Sequence, residues 1–341
     1  MRSLTGHPIG HNHAVPYLHD WSPALRRSLP HLRLGSGPTP VRRLAGLESG
    51  AGEIWLKDES GFGEGGWGGN KVRKLEWLLP DVKRRGRKTI LTFGGLGTNW
   101  GLATALYGRE QGIHTALALI DQPRDAHVEA QLKRLEDSGA TLHFTRTKNR
   151  TIALAPWLIA RHSSGLRPPY ILPSGGSSPL GSLGYVETAF EIAAQVEAGD
   201  LPAPGIVVVP TGSGGTAAGL ALGFGLAGLP TRVIGVIVTE HLRLDDRAIA
   251  RLAGKSAALL RKRGASFREP ELNLEMTIDW MGETYGAPTP ESERAIELTR
   301  AEGLELDPVY TAKAMAALLD KSRAGDFDAR PVLFLNTNGP R

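Results

Sequence analysis

The chain has 341 residues, 41% of them hydrophobic and 22% charged, with a formal net charge of +5. That balance belongs to a folded globular protein long enough for two lobes and excludes a disordered chain. No apolar run approaches the roughly 20 residues of a membrane span, and the absence of cysteine excludes disulfides, thiolate metal sites and a thiol nucleophile.

Residues 1–38 are rich in His, Pro and Arg and read as an arm laid over the body. Beyond them, short β-branched runs alternate with helical patterns. Strands are predicted at 54–57, 89–93, 115–120, 170–173, 206–209, 233–238 and 332–335, and helices at 71–85, 100–111, 126–137, 183–196, 216–226, 246–262, 290–302 and 312–324. Such alternation predicts an α/β fold of mainly parallel sheets covered by helices on both faces. Thr289 before Pro290 reads as an N-cap followed by proline at the first helical position.

Ligands of such folds gather outside the carboxyl ends of strands, so the strand-to-helix turns carry the functional signal. The first, GGWGGNKVRKLE over 65–76, is dense in glycine, which lets a ligand approach the backbone. Lys71 and Lys74 stand three residues apart on one side of the helix it opens, at the end where the helix dipole disfavours cations. Either they form a solvated basic face, or a ligand compensates them, one lysine neutral as an imine and the other paired with a phosphate.

The second turn follows the apolar run 206–210 and reads Thr211, Gly212, Ser213, Gly214, Gly215, Thr216. Backbone N–H groups at such a helix start form an anion cup to which the hydroxyls add donors. Gly212, Gly214 and Ala217 also satisfy G-x-G-x-x-A, the dinucleotide fingerprint, with Glu240 as a late acidic partner. A turn that merely permits close packing is the remaining reading. The third turn, FGGLGTNW over 93–100, offers N–H groups to a substrate carboxylate and Asn99 to a cofactor phenolate, with Thr98 or Asn99 as a plain N-cap the alternative. The fourth, DPVYTAKAM over 307–315, contains Tyr310 and Thr311, which taken alone read as a core aromatic and an N-cap.

Together these segments resemble the family of aminocyclopropane-carboxylate deaminases and D-cysteine desulfhydrases, within the tryptophan-synthase-β-like fold of pyridoxal-phosphate enzymes. The resemblance runs from about residue 38 to residue 339. It rests on GGNKVRKLE, TGSGGTAAGL, GSLGYVE around Tyr185, TYGAP around Tyr285 and LDPVYTAKAMA. It implies two domains: a large cofactor-binding domain from 1–74 and 181–341, and a small one from 75–180 inserted between them. It implies Lys71 as the Schiff-base lysine and Lys74 as a phosphate ligand. Thr211 through Thr216 would wrap the phosphate, Asn99 would bond the phenolic oxygen, and Thr311 would meet the pyridine nitrogen. Tyr285 and Tyr310 would face the substrate, and the chain would form a homodimer.

The chemistry implied is an electron sink in the cofactor, with orientation and proton transfer from the protein. Lys71, once freed by an incoming amino acid, would act as general base at Cα. The chain departs from the family where that usually reads Gln-Ser-Asn followed by His or Gln. Here Gly97 lacks a side-chain amide, Thr98 adds a methyl at the catalytic serine position, and Trp100 is bulky, to stack on or exclude a substrate. The expectation is a lyase that eliminates a β-substituent from a small amino acid, D-cysteine first, releasing a 2-oxoacid and ammonia. A cyclopropane deaminase, a nicotinamide-dependent oxidoreductase and a non-catalytic binding protein are the alternatives.

A cytoplasmic home is expected, because the N-terminus has no continuous apolar core. No membrane and no nucleic-acid partner is expected either, since the basic runs at 83–88 and 261–263 carry no interleaved aromatics. No metal is expected: His7, His11 and His13 lie in the arm without supporting partners.

Overall fold

The computed structural model describes residues 15–47, 52–63 and 67–339. His7, His11, His13, Gly65 and Gly66 therefore lie outside the described residues. Two sheets organise the rest. The larger comprises Val41–Arg43 (β1), Ile54–Asp58 (β2), Ile206–Thr211 (β7), Arg232–Ile237 (β8), Leu274–Thr277 (β9) and Val332–Asn336 (β10), in the order β1-β2-β10-β7-β8-β9. The smaller comprises Thr89–Gly95 (β3), His114–Ile120 (β4), Thr141–Arg146 (β5) and Tyr170–Ile171 (β6), in the order β5-β4-β3-β6. Every pairing is parallel except that of β1 with β2. Strand β10 sits between β2 and β7, with Val332 opposite both Ile54 and Ile206, so the two ends of the chain share one sheet.

The apolar runs of the central strands follow from burial on both faces. In β7, Val207 and Val209 pack with Leu333 and Leu335 of β10 against Leu183–Ala198 (α7) and Gly215–Ala227 (α8). Ile206 and Val208 point the other way, toward Met315, Leu318 and Leu319 of Thr311–Arg323 (α11). Each such aliphatic side chain contributes about 1.5–3 kcal/mol when fully buried. The small sheet repeats the pattern. Ile90, Leu117 and Leu119 meet Lys71–Arg84 (α3) and Asn99–Glu110 (α4), while Leu91, Ala116 and Ala118 meet Leu158 of Lys148–Arg161 (α6).

The remaining helices are Tyr17–Trp21 (α1), Leu25–Ser28 (α2), Ala126–Asp137 (α5), Asp246–Lys262 (α9) and Pro290–Arg300 (α10). Thr289 caps α10 as predicted, accepting from the Ser292 amide, with Ser292 reciprocating. Helix α1 has no local side-chain cap; the buried Glu187 of α7 accepts the amides of Tyr17 and Leu18 at 2.6 and 2.9 Å instead. Beneath α3 lies a buried charge node. Arg73 donates to both oxygens of Glu59 and to both of Glu191, and Lys57 donates to Glu191 at 2.5 Å and to Gln195 at 2.7 Å.

Candidate active site

Lys71 is the first residue of α3, a helix start with no side-chain cap and no acidic residue in its first turn. Gly69, at φ +100°, brings the chain into this helix past the C-terminal segment; a Cβ there would lie 3.0 Å from Gly339 Cα. Among the described residues the Lys71 ammonium has no hydrogen-bond or ion-pair partner. Burial alone pushes its pKa down to about 8. Lys74 is 1% exposed and donates to the Gly175 carbonyl at 2.9 Å; burial, and then the charge of Lys71, hold its pKa well below the usual lysine range. Arg73, between them, is matched by Glu59 and Glu191. Two of the three cations in this turn thus lack a counter-charge, which is what an anionic ligand supplies.

The second turn stands opposite. Strand β7 ends at Thr211, and Gly214, at φ +84°, reverses the chain so that α8 begins at Gly215 with no side-chain cap. A Cβ on Gly214 would collide with Ile249, so both the φ and the space require glycine. Ser213 Oγ meets Ser177 Oγ at 2.8 Å, and the Gly215 amide donates to Ser177 Oγ at 2.9 Å. The turn at 174–177 therefore joins the two elements, since Gly175 holds Lys74 and Ser177 holds the cup. Ser177 was not singled out in the sequence; its only signal is a glycine pair followed by serines between a strand and a helix.

In the third turn Thr98 is the N-cap of α4, accepting from the Gly101 amide at 3.1 Å. Asn99 Oδ1 accepts from Gln131 Nε2 at 2.5 Å, and Gln122 accepts the Gly97 amide at 3.2 Å. Trp100, expected at the substrate, is buried. It is 3% exposed, its indole N–H donates to Thr92 Oγ1 at 2.8 Å, and its ring backs Gly176.

At the fourth turn Tyr310 and Tyr285 are hydrogen-bonded through their hydroxyls, and the Tyr310 ring lies beside Gly212. Burial raises the pKa of both, so each stays protonated at neutral pH. The Tyr285 amide donates to Glu240 at 2.9 Å, which commits that carboxylate to the tyrosine loop rather than to a ribose. Thr311 is not the cap of α11: Asp307 accepts the amides of Val309, Tyr310 and Thr311. The Thr311 hydroxyl donates to Asp307 at 2.6 Å and accepts the Asp307 amide at 2.7 Å, so its one proton is already given to a carboxylate.

A half-buried lysine without a partner, a second, buried lysine and a helix start beside serine hydroxyls offer an amine and anion-binding donors to a ligand. The comparisons agree. The model of the pyridoxal-phosphate dependent enzyme family matches residues 32–338. D-cysteine desulfhydrase of Klebsiella pneumoniae subsp. pneumoniae is 36% identical over 321 residues, spanning 91% of this chain and 94% of that one. The Salmonella schwarzengrund enzyme of the same name is 35% identical over 320 residues, with the same coverage. A crystal structure of an ACC deaminase homologue superposes with a TM-score of 0.80 at 29% identity, covering 92% and 93% of the two chains. A hydrogen sulfide-producing enzyme from Fusobacterium nucleatum, at 15% identity and a TM-score of 0.60, over 89% and 95% of the two chains, shares the fold. This chain belongs to the pyridoxal-phosphate dependent enzyme family, and its α/β fold is the tryptophan-synthase-β-like one. The nicotinamide reading is overturned.

The residues present fit pyridoxal phosphate. Its aldehyde is captured only by a neutral amine. Because burial sets Lys71 near 8, the rate of covalent loading of the cofactor-free chain is expected to rise with pH through about 8 and then level. Stopped-flow absorbance across that range measures it; an exposed lysine gives a rise that continues toward 10.

Proposed function

We propose that the chain is a pyridoxal-phosphate-dependent lyase that eliminates the β-substituent of D-cysteine, releasing hydrogen sulfide, a 2-oxoacid and ammonia. The observation that carries this reading is the partnerless Lys71 joined through Lys74 and the turn at 174–177 to the Ser213–Gly215 cup, in a chain 36% identical to D-cysteine desulfhydrase. Lys71 would hold the cofactor covalently, and Lys74 with Thr211–Thr216 would hold its phosphate. Pyridoxal phosphate supplies an electron sink next to the substrate's Cα. Lys71, largely unprotonated above about 8, takes the Cα proton. The Tyr285–Tyr310 pair, kept protonated by burial, supplies a proton to the departing sulfur. Asn99 and Thr311 are assigned to the cofactor ring and Thr98 to the substrate.

Residues 75–180 would form the smaller, inserted domain, and we read the enzyme as a cytoplasmic homodimer. Among the described residues no helix is long and apolar enough to cross a membrane.

Ring-opening of a cyclopropane amino acid needs close polar contacts, and reacting geometry tolerates little displacement. Thr98 adds a stiff β-branch and Gly97 offers no side chain. A panel of small D- and L-amino acids, assayed for sulfide, 2-oxoacid and ammonia, is expected to show D-cysteine turned over. The cyclopropane amino acid is expected to remain intact. Ring-opening at an enzyme-like rate with D-cysteine inert overturns the reading.

A further inference from the structure

We infer that Ser177 is a second hydroxyl clamp on the cofactor phosphate and that Trp100 is the positioning residue that holds it in place. The inference rests on the reading of Lys71, Lys74 and residues 211–216 as the cofactor site. The turn at 174–177 touches both anion-binding elements. On one side the Gly175 carbonyl accepts from Lys74 at 2.9 Å; on the other Ser177 Oγ accepts the Gly215 amide at 2.9 Å and meets Ser213 Oγ at 2.8 Å. The Gly215 amide opens α8 and has no carbonyl partner within its own helix. The Ser177 oxygen therefore stands where an anion's oxygen would accept that N–H. When a phosphate oxygen takes the amide over, the Ser177 O–H gains a charged acceptor beside it. Such a bond is shorter and stronger than one between two hydroxyls.

Trp100 fixes where this turn sits. A Cβ on Gly176 would lie 2.5 Å from the outer edge of the indole, so the backbone rests directly on the ring. The indole is pinned in turn: its N–H donates to Thr92 Oγ1 at 2.8 Å, and the Thr92 hydroxyl donates to the Leu172 carbonyl at 2.9 Å. Strand β3, the indole and the turn thus form one stack that ends at Ser177. The single polar atom of the Trp100 side chain is used inside the small sheet, which leaves it none for a substrate.

The test compares Ser177→Ala, Trp100→Phe and the double variant. Phenylalanine keeps a ring in the core but lacks the benzo edge on which Gly176 rests. Each cofactor-free chain is titrated with pyridoxal phosphate and with pyridoxal, which has the aldehyde without the phosphate. Thermal melting verifies the fold. Ser177→Ala is expected to weaken pyridoxal phosphate about tenfold, a step equal to one modest charge-assisted bond, and to leave pyridoxal unchanged. Trp100→Phe is expected to show the same selectivity, with no added loss in the Ser177→Ala background and an unchanged KM for D-cysteine at saturating cofactor. Equal losses for the two aldehydes, or wild-type affinity in every variant, overturn the inference alone. So does a raised KM with unchanged cofactor affinity. A wild-type chain that takes up no pyridoxal phosphate overturns the reading beneath it as well.

Discussion

Lys71→Ala is expected to lower the rate of 2-oxoacid release by about a hundredfold to ten-thousandfold, the range a positioned general base contributes. The cofactor phosphate would still find Lys74 and the cup, so the variant is expected to bind pyridoxal phosphate reversibly and to lose it on dialysis. A stability effect accompanies this one and has the opposite sign. A buried ammonium without a partner destabilises the cofactor-free fold. Lys71 titrates near 8 in the fold against an ordinary lysine value of 10.5, so between those values the unfolded chain holds the extra proton. Stability of the cofactor-free chain therefore rises with pH across that window, and the whole penalty is present below it. Lys71→Met removes this penalty and its share of the slope, leaving the share of Lys74, whose pKa is also depressed by burial, and is expected to melt higher at pH 7 while being inactive. Thermal melts of both chains from pH 7 to 10 measure this; a lower melting temperature for Lys71→Met would show that the lysine is solvated.

Glu191→Ala is the second large effect, and it acts on the fold. Glu191 takes hydrogen bonds from Lys57, Arg73 and the Thr39 amide, and those two cations hold its carboxyl well below the usual carboxylate range despite burial. Without it Lys57 and Arg73 face Glu59 alone, one negative charge against two positive ones. Breaking one side of a buried pair costs about 3–5 kcal/mol, against a total stability for folded domains of about 5–15 kcal/mol. Glu191→Ala is expected to lower the unfolding free energy by that amount, read from the shift in denaturant midpoint multiplied by the m-value, and to loosen α3, on which Lys71 stands. Glu191→Gln keeps the shape and one acceptor oxygen, enough for Lys57 and one Arg73 N–H, so a smaller loss is expected. Equal and small shifts for both would show that the node is hydrated.

The seven predicted strands are all present because β2, β3, β4, β7, β8 and β10 carry buried, nearly continuous apolar runs and β6 follows a clear turn. The three missed strands lie at sheet edges, where one neighbour suffices and the pattern thins. Strand β1 has three residues, every β9 residue is only half-buried, and Phe144 of β5 points into solvent. Helix α6 escaped notice because Pro156 interrupts it and because Ile152 and Trp157 are exposed, which blurs the apolar stripe. Helices α1 and α2 are too short to carry a period, and α1 depends on Glu187, 170 residues from Tyr17 in the chain.

The site divides in the same way. Lys71, Lys74 and the turn at 211–216 could be proposed from the sequence because glycine spacing and a misplaced pair of lysines are local signals. Ser177, Gln122 and Asp307 were not singled out as site residues, and Glu240 was read only as a partner for a ribose, since their contacts exist only once distant segments meet. The inward turn of Trp100 has no signal in the sequence, because the first turn of a helix does not reveal which side faces inward; the bond to Thr92 does.

The most direct test of the central claim is chemical. The loaded enzyme is reduced with borohydride, digested, and its peptides mapped by mass spectrometry. A pyridoxyl group on Lys71 alone is the predicted result. Its appearance on Lys74, or on no lysine after reconstitution with pyridoxal phosphate, would contradict the assignment.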